Sequence, residues 1–239
     1  FMNDELISRQ AVEFAKSNRR RLAKELTDTS KYVPDEIPIS VFMAGSPGAG
    51  KTEYSKNFIE ILEKDNQRKV IRIDSDELRR HIPGYRGNNS YLFQGAVSIL
   101  VEKIQDMALE NEQTFLFDGT LSKYDKAVAN INRSLDKFRR VFILYVYQQP
   151  EVAWRFTVAR ESVEGRHIPK DAFIEQFIGA RETVERIRKE FDSRVVIFLV
   201  KKNFETHEVE EVIEIKPNDY PVDYYLKVSY TKDDLEGLL

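Results

Sequence analysis

Cysteine is absent from the 239 residues, which excludes disulfide stapling, thiolate metal sites and cysteine nucleophiles. No apolar run is long enough to span a bilayer, and no charged-then-apolar leader opens the chain. A soluble, cytoplasmic protein with no membrane partner is therefore expected. An excess of positive charge is missing too: 37 Lys and Arg stand against 40 Asp and Glu, a formal net charge of −3. Without a basic field, nucleic acid is disfavoured as a partner. There is no internal repeat and no low-complexity segment. At this length one domain with a sizeable core and appended helices is the expectation.

What is present is a change of pattern along the chain. Residues 3–26 place Ile7, Ala11, Phe14, Ala15, Leu22 and Leu26 at helical spacing, interrupted by Arg19, Arg20 and Arg21. One N-terminal helix follows from that stripe. Residues 27–38 hold two prolines and several turn formers, and read as a connector. From Ile39 onward short apolar runs (39–44, 69–73, 114–117, 141–146, 195–200) alternate with helical stretches (51–63, 91–110, 123–138, 151–161, 170–191). Strands that are apolar throughout are buried on both faces. The pattern thus predicts the α/β class: a three-layer α/β/α sandwich around a mostly parallel sheet of about five strands. The chain divides into 1–37 (N-terminal helix and connector), 38–203 (core) and 204–239 (irregular C-terminal extension). In the extension Val209, Val212, Ile213 and Ile215, then Tyr224, Leu226 and Val228, alternate more strongly and predict a hairpin at a sheet edge.

The most specific segment is Gly45-Ser46-Pro47-Gly48-Ala49-Gly50-Lys51-Thr52, with the spacing Gly-x4-Gly-Lys-Thr. It follows a predicted strand and opens a predicted helix. Small residues there let backbone N–H groups wrap a phosphate, and the helix N-terminus adds its positive end. Lys51 reaches the β- and γ-phosphates of ATP in such a loop, and the Thr52 hydroxyl is the ligand for Mg²⁺. A glycine-rich turn with a chance lysine would need neither neighbour.

Two predicted strands end in acids, at Asp74-Ser75-Asp76 and Asp118-Gly119-Thr120. Ligands of open α/β sheets gather at those strand ends. An acceptor hydroxyl must lose its proton as a phosphoryl group arrives, so Asp76 and Asp118 are candidate general bases. Asp76 also fits a helix N-cap before Glu77-Leu78-Arg79-Arg80, and Asp118 also fits Walker-B-type support of Mg²⁺. Asp74 has the weakest claim and can simply end its strand. Further on, Arg155, Arg160 and Arg166 lie around a turn shaped by Gly165 and Pro169. A guanidinium on a closing loop stabilises the charge of a transferring phosphoryl group, although surface arginines are commonly just a solvated face. His167 reads as a turn or packing residue, since no metal-ligand spacing accompanies it.

Taken in order, Met43–Thr52, Ile73-Asp-Ser-Asp-Glu-Leu-Arg79 with His81-Ile-Pro-Gly-Tyr85, Phe117-Asp-Gly-Thr120, and Arg160 with Gly165-Arg-His-Ile-Pro169 resemble the zeta toxin family of P-loop kinases. The likeness runs from about Pro38 to Phe191. The resemblance implies a P-loop kinase fold and ATP-dependent phosphorylation of the sugar 3′-hydroxyl of UDP-N-acetylglucosamine. It implies that Lys51 and Thr52 serve ATP-Mg²⁺, that Asp76 is the base, and that Arg160 and Arg166 clamp the transferring phosphate. Asp118 and Thr120 would bind substrate hydroxyls, and an epsilon-type antitoxin would be the protein partner. Two departures fall on the acceptor side. The family more often has glutamate where Asp118 stands, and commonly arginine just past the Gly-Thr pair, where this chain has Leu121-Ser122-Lys123. Other functions compatible with the same loop are a related antibiotic or metabolite phosphotransferase, a nucleotide-binding regulatory module without transfer, and a nucleic-acid end kinase.

Overall fold

The computed structural model describes residues 4–165, 167–203 and 205–239. In chain order the helices are α1 (Asp4–Leu26), α2 (Lys51–Asn66), α3 (Ser75–Arg79), α4 (Gln94–Glu110), α5 (Tyr124–Leu135), α6 (Pro150–Glu164), α7 (Lys170–Phe191), α8 (Val222–Leu226) and α9 (Lys232–Leu238). The strands are β1 (Ile39–Ala44), β2 (Ile71–Asp74), β3 (Phe115–Asp118), β4 (Arg140–Tyr147), β5 (Val195–Lys202) and β6 (Val209–Ile215). They form one six-stranded sheet in the order β2-β3-β1-β4-β5-β6. The first five strands run parallel, and β6 adds an antiparallel edge to β5.

Alternate residues of each strand point to opposite faces, and the two sets feed two separate cores. On one face Val41, Met43, Leu116, Leu144, Val146 and Val200 pack under Tyr54, Phe58, Ile59 and Leu62 of α2. On the other, Phe42, Ala44, Phe115, Ile143, Tyr145 and Ile197 meet α1, α4, α5 and α7. Phe42, Phe93, Phe115 and Phe173 are fully buried, each contributing about 1.5–3 kcal/mol of transfer free energy. This is the expected three-layer α/β/α arrangement, and its five parallel strands match the five apolar runs.

α1 belongs to the same core. Its small residues Ala11, Ala15 and Ala23 are buried, which lets the helix lie close on α4. The connector after it is pinned by a buried glutamine: Gln113 Nε2 donates to the carbonyls of Thr27 (2.9 Å) and Tyr32 (2.6 Å). At the other end, only the first run of the predicted hairpin is a strand: β6 pairs with β5 at the sheet edge, with Val209 and Val212 exposed on it. The second half of the extension is not strand. Tyr224, Leu226 and their neighbours form α8, which buries Val222 and Leu226 one helical turn apart, and α9 opens on a reciprocal Thr231–Asp234 capping box.

Candidate functional site

Because β1, β2 and β3 run parallel, the loops leaving them emerge on one edge of the sheet, where the start of α2 also lies. The loop after β1 has the shape its glycines permit. Gly45 sits at φ +136, and a Cβ there would come within 2.3 Å of the Val146 carbonyl oxygen; Gly48 sits at φ +71, and its Cβ would come within 2.0 Å of the Ala153 carbonyl oxygen. Side chains are thus excluded at both positions by backbone on the far side. Ser46 and Ala49 are buried beneath the loop. The Gly45 amide donates to the Thr120 carbonyl at 3.1 Å, tying the loop to the Gly-Thr turn after β3. Gly50 is the N-cap residue of α2 and brings no side-chain bond to its first turn, which leaves the amides there without a capping side chain, as an anion site at a helix start requires. Lys51 Nζ folds over the loop and donates to the Ser46 carbonyl at 2.6 Å.

Pro47, Gly48, Gly50, Lys51 and Thr52 line one side of a cleft of about 1310 Å³. Asp76, Asp118, Thr120 and Arg160 line the same cleft from α3, from β3 and the turn after it, and from α6. The structure therefore gathers in one place nearly every residue singled out from the sequence, from four separate stretches of chain. Arg166 lies outside the described residues. Arg155 is not among the residues lining the cleft. His167 is exposed, with Nδ1 2.8 Å from Glu161 Oε1.

The three acids take distinct places. Asp74, not Asp76, is the N-cap of α3: its Oδ1 accepts the Asp76 amide at 2.8 Å. Asp76 is one residue inside the helix, partly exposed towards the cleft and ion-paired with Arg79. Arg79 is itself buried, and its Nη2 donates to Gln94 Oε1 at 2.9 Å, so the carboxylate of Asp76 is held from behind. Asp118 lies deeper. Its Oδ2 accepts from Ser55 Oγ of α2 at 2.9 Å and from Arg72 Nη2 at 2.6 Å, while the residue still borders the cleft. Thr120 Oγ1 and Ser122 Oγ are 2.9 Å apart on the same wall. Burial lifts the Asp74 carboxyl above the ordinary carboxylate range against the pull of Arg72.

Several of these partners are not apparent in the motifs. Arg72 left a trace: it is a charge inside a strand that a two-sided sheet should keep apolar, which calls for buried counter-charges. Arg79 and Gln94 left none, because a charged helix residue ordinarily faces water. Lys123, Lys126 and Arg186 also line the cleft. Among the described residues none of the three forms an ion pair; Lys126 Nζ donates to Ser98 Oγ at 3.3 Å, and the Arg186 guanidinium stacks 3.3 Å from the Tyr124 ring centroid.

The family model described as Zeta toxin matches residues 23–211 of the chain. Among solved structures, the chain is similar to one from the PezAT chromosomal toxin–antitoxin system of Streptococcus pneumoniae, at 18% identity and a TM-score of 0.68, covering 94% of this chain and 92% of that one. It is also similar to a chain of the AvrRxo1-ORF1:AvrRxo1-ORF2 complex with sulphate ions (16% identity, TM-score 0.59, covering 94% and 73%). With the AvrRxo1-ORF1:-ORF2 complex containing ATP the figures are 14%, 0.57, 92% and 70%. At these identities the structural likeness is one of fold.

Proposed function

The chain belongs to the zeta toxin family, and from that premise we propose that it transfers the γ-phosphate of ATP to a sugar hydroxyl of a UDP-amino sugar, UDP-N-acetylglucosamine first among them. The observation that carries the proposal is the meeting of the phosphate loop, Asp76 and Arg160 in one cleft large enough for two ligands. ATP lies with its phosphates on the loop amides and Lys51. Thr52 would hold Mg²⁺ through its hydroxyl, and the ion would supply neutralisation of phosphate charge. Asp76 takes the proton of the acceptor hydroxyl as its oxygen forms the new bond to the γ-phosphorus. The bond to the bridging oxygen breaks and ADP leaves. Arg160, with Arg166, stabilises the charge on the equatorial oxygens in transit.

On the acceptor side, Asp118 and Thr120 are the proposed partners of the sugar hydroxyls. Lys123, Lys126 and Arg186, which form no ion pair among the described residues, support an acceptor that itself carries negative charge, such as a nucleotide diphosphate, over a cationic antibiotic. The PezAT and AvrRxo1 relatives come from a toxin–antitoxin system and a two-protein complex, which supports an antitoxin-like protein partner for this chain. The test is mass spectrometry of a UDP-sugar panel incubated with the protein and ATP-Mg²⁺. The expected result is one added phosphoryl group on UDP-N-acetylglucosamine, with stoichiometric ADP. Modification of an uncharged or cationic alcohol instead would overturn the assignment of the acceptor, and nucleotide binding without ADP release would overturn transfer.

A further inference from the structure

Arg72 stands two residues before Asp74 on β2, so their side chains share the face of the sheet that α2 covers. In the β2–β3 register Asp74 lies directly opposite Asp118, an arrangement in which two carboxylates repel. The Arg72 guanidinium resolves it. Its Nη2 is 2.7 Å from Asp74 Oδ2 and 2.6 Å from Asp118 Oδ2, its Nε is 3.2 Å from the same Asp118 oxygen, and its Nη1 is 2.6 Å from Glu77 Oε1. The Arg72, Asp74 and Asp118 side chains keep only 12%, 13% and 5% of their exposure. One planar fork thus joins the end of β3 to the cap and the body of α3, the helix that carries Asp76.

We propose that Arg72 is the positioning residue of the acceptor half of the site: by tying Asp118, Asp74 and Glu77 together it sets the orientation of α3 and so aims Asp76 into the cleft. The inference rests on Asp76 being the base. Asp74 serves two partners with its two oxygens, Oδ2 to Arg72 and Oδ1 to the Asp76 amide. Any shift of Asp74 is therefore transmitted to the first turn of α3. On its outer side Arg72 borders a recess of about 370 Å³ along the free edge of β2, so truncation at this position opens a space for water beside Asp74 and Asp118. Among the described residues Arg72 bonds to Asp74, Glu77 and Asp118 and to none of residues 45–52, and its link to α2 runs only through the Ser55–Asp118 hydrogen bond.

The test compares Arg72→Met and Arg72→Lys with the wild-type chain by hydrogen exchange, by titration with ATP-Mg²⁺, and by turnover with UDP-N-acetylglucosamine. In Arg72→Met, exchange of the amides of residues 75–79 should quicken about tenfold or more while that of α2 and β1 stays as in the wild type. Affinity for ATP should hold within about twofold, and kcat should fall by about 10²-fold, the size of loss that a misplacement near 1 Å produces. Arg72→Lys keeps the charge without the fork and should fall between the two. Unchanged exchange across residues 75–79, or exchange rising alike in α2, β1 and α3, would overturn the proposal whether or not the acceptor is turned over. Failure of the base assignment looks different: Asp76→Asn would then keep its turnover.

Discussion

Lys51, Asp76 and Arg160 reach the cleft from α2, α3 and α6, and the sequence offers each as a candidate because the proposed chemistry restricts its type and place. A phosphate loop needs Gly-Lys-Thr at a helix start, and a base needs a carboxylate just past a strand. The side chains that support them were less visible. Asp118 shows why, for its Oδ2 is taken by Ser55 and Arg72, and those partners lie 63 and 46 residues away with no motif to link them. The structure also divides labour within Asp74-Ser75-Asp76: the first acid caps the helix and the last borders the cleft. Asp76→Asn should therefore cut turnover by roughly 10²-fold or more with little change in ATP affinity, since an amide keeps the size but accepts no proton. Asp74→Ala should lower stability by about 1 kcal/mol through the lost cap, which moves Tm down by roughly 2–4 °C in a chain of this size, and should lower turnover as well, because Asp74 joins Arg72 to the first turn of α3. Thermal melts beside steady-state kinetics on the two variants separate these roles. A stability loss in Asp76→Asn with turnover preserved would exchange them.

Among the elements, each of the five apolar runs became a parallel strand, with ends shifted by no more than two residues, because two-sided burial leaves a strong signature. The tail was harder. Tyr224, Leu226 and Val228 alternate, yet Val222 and Leu226 are the pair that packs, and they are spaced for a helix. The capping box at Thr231 and Asp234 is a helix signal four residues long that the alternation outweighed. Contacts between elements also hold the turn after β3, the proposed acceptor wall, in place. Gly179 of α7 faces the turn after β3, and a Cβ there would lie 2.7 Å from the Ser122 carbonyl oxygen. Gly179→Ala should displace that turn, where Thr120 and Ser122 are hydrogen-bonded, at a cost of about 1–3 kcal/mol. Acceptor kcat/KM should fall further than ATP affinity in this variant. Equal losses in both would show that α7 supports the whole cleft and not the acceptor wall alone.

Seen whole, the molecule places the phosphate loop at the end of a mostly parallel six-stranded sheet, and the larger of its two cores runs from α1 to α9. Ligand binding to such a site appears as global stability. ATP-Mg²⁺ at about a hundred times its Kd should add about 2.7 kcal/mol, a rise in Tm of roughly 5–10 °C for a chain of this length. Chelating magnesium should remove most of that rise, and a rise unaffected by chelation would contradict the assignment of Thr52. The claim on which the rest depends is that the loop of residues 45–52 is where ATP gives up its γ-phosphate. It is tested most directly by following labelled γ-phosphate from saturating ATP-Mg²⁺ to UDP-N-acetylglucosamine in the wild type and in Lys51→Ala. The account predicts transfer by the wild type and none above background in the variant, which loses the point charge on the β- and γ-phosphates. Near-wild-type transfer by Lys51→Ala would contradict it.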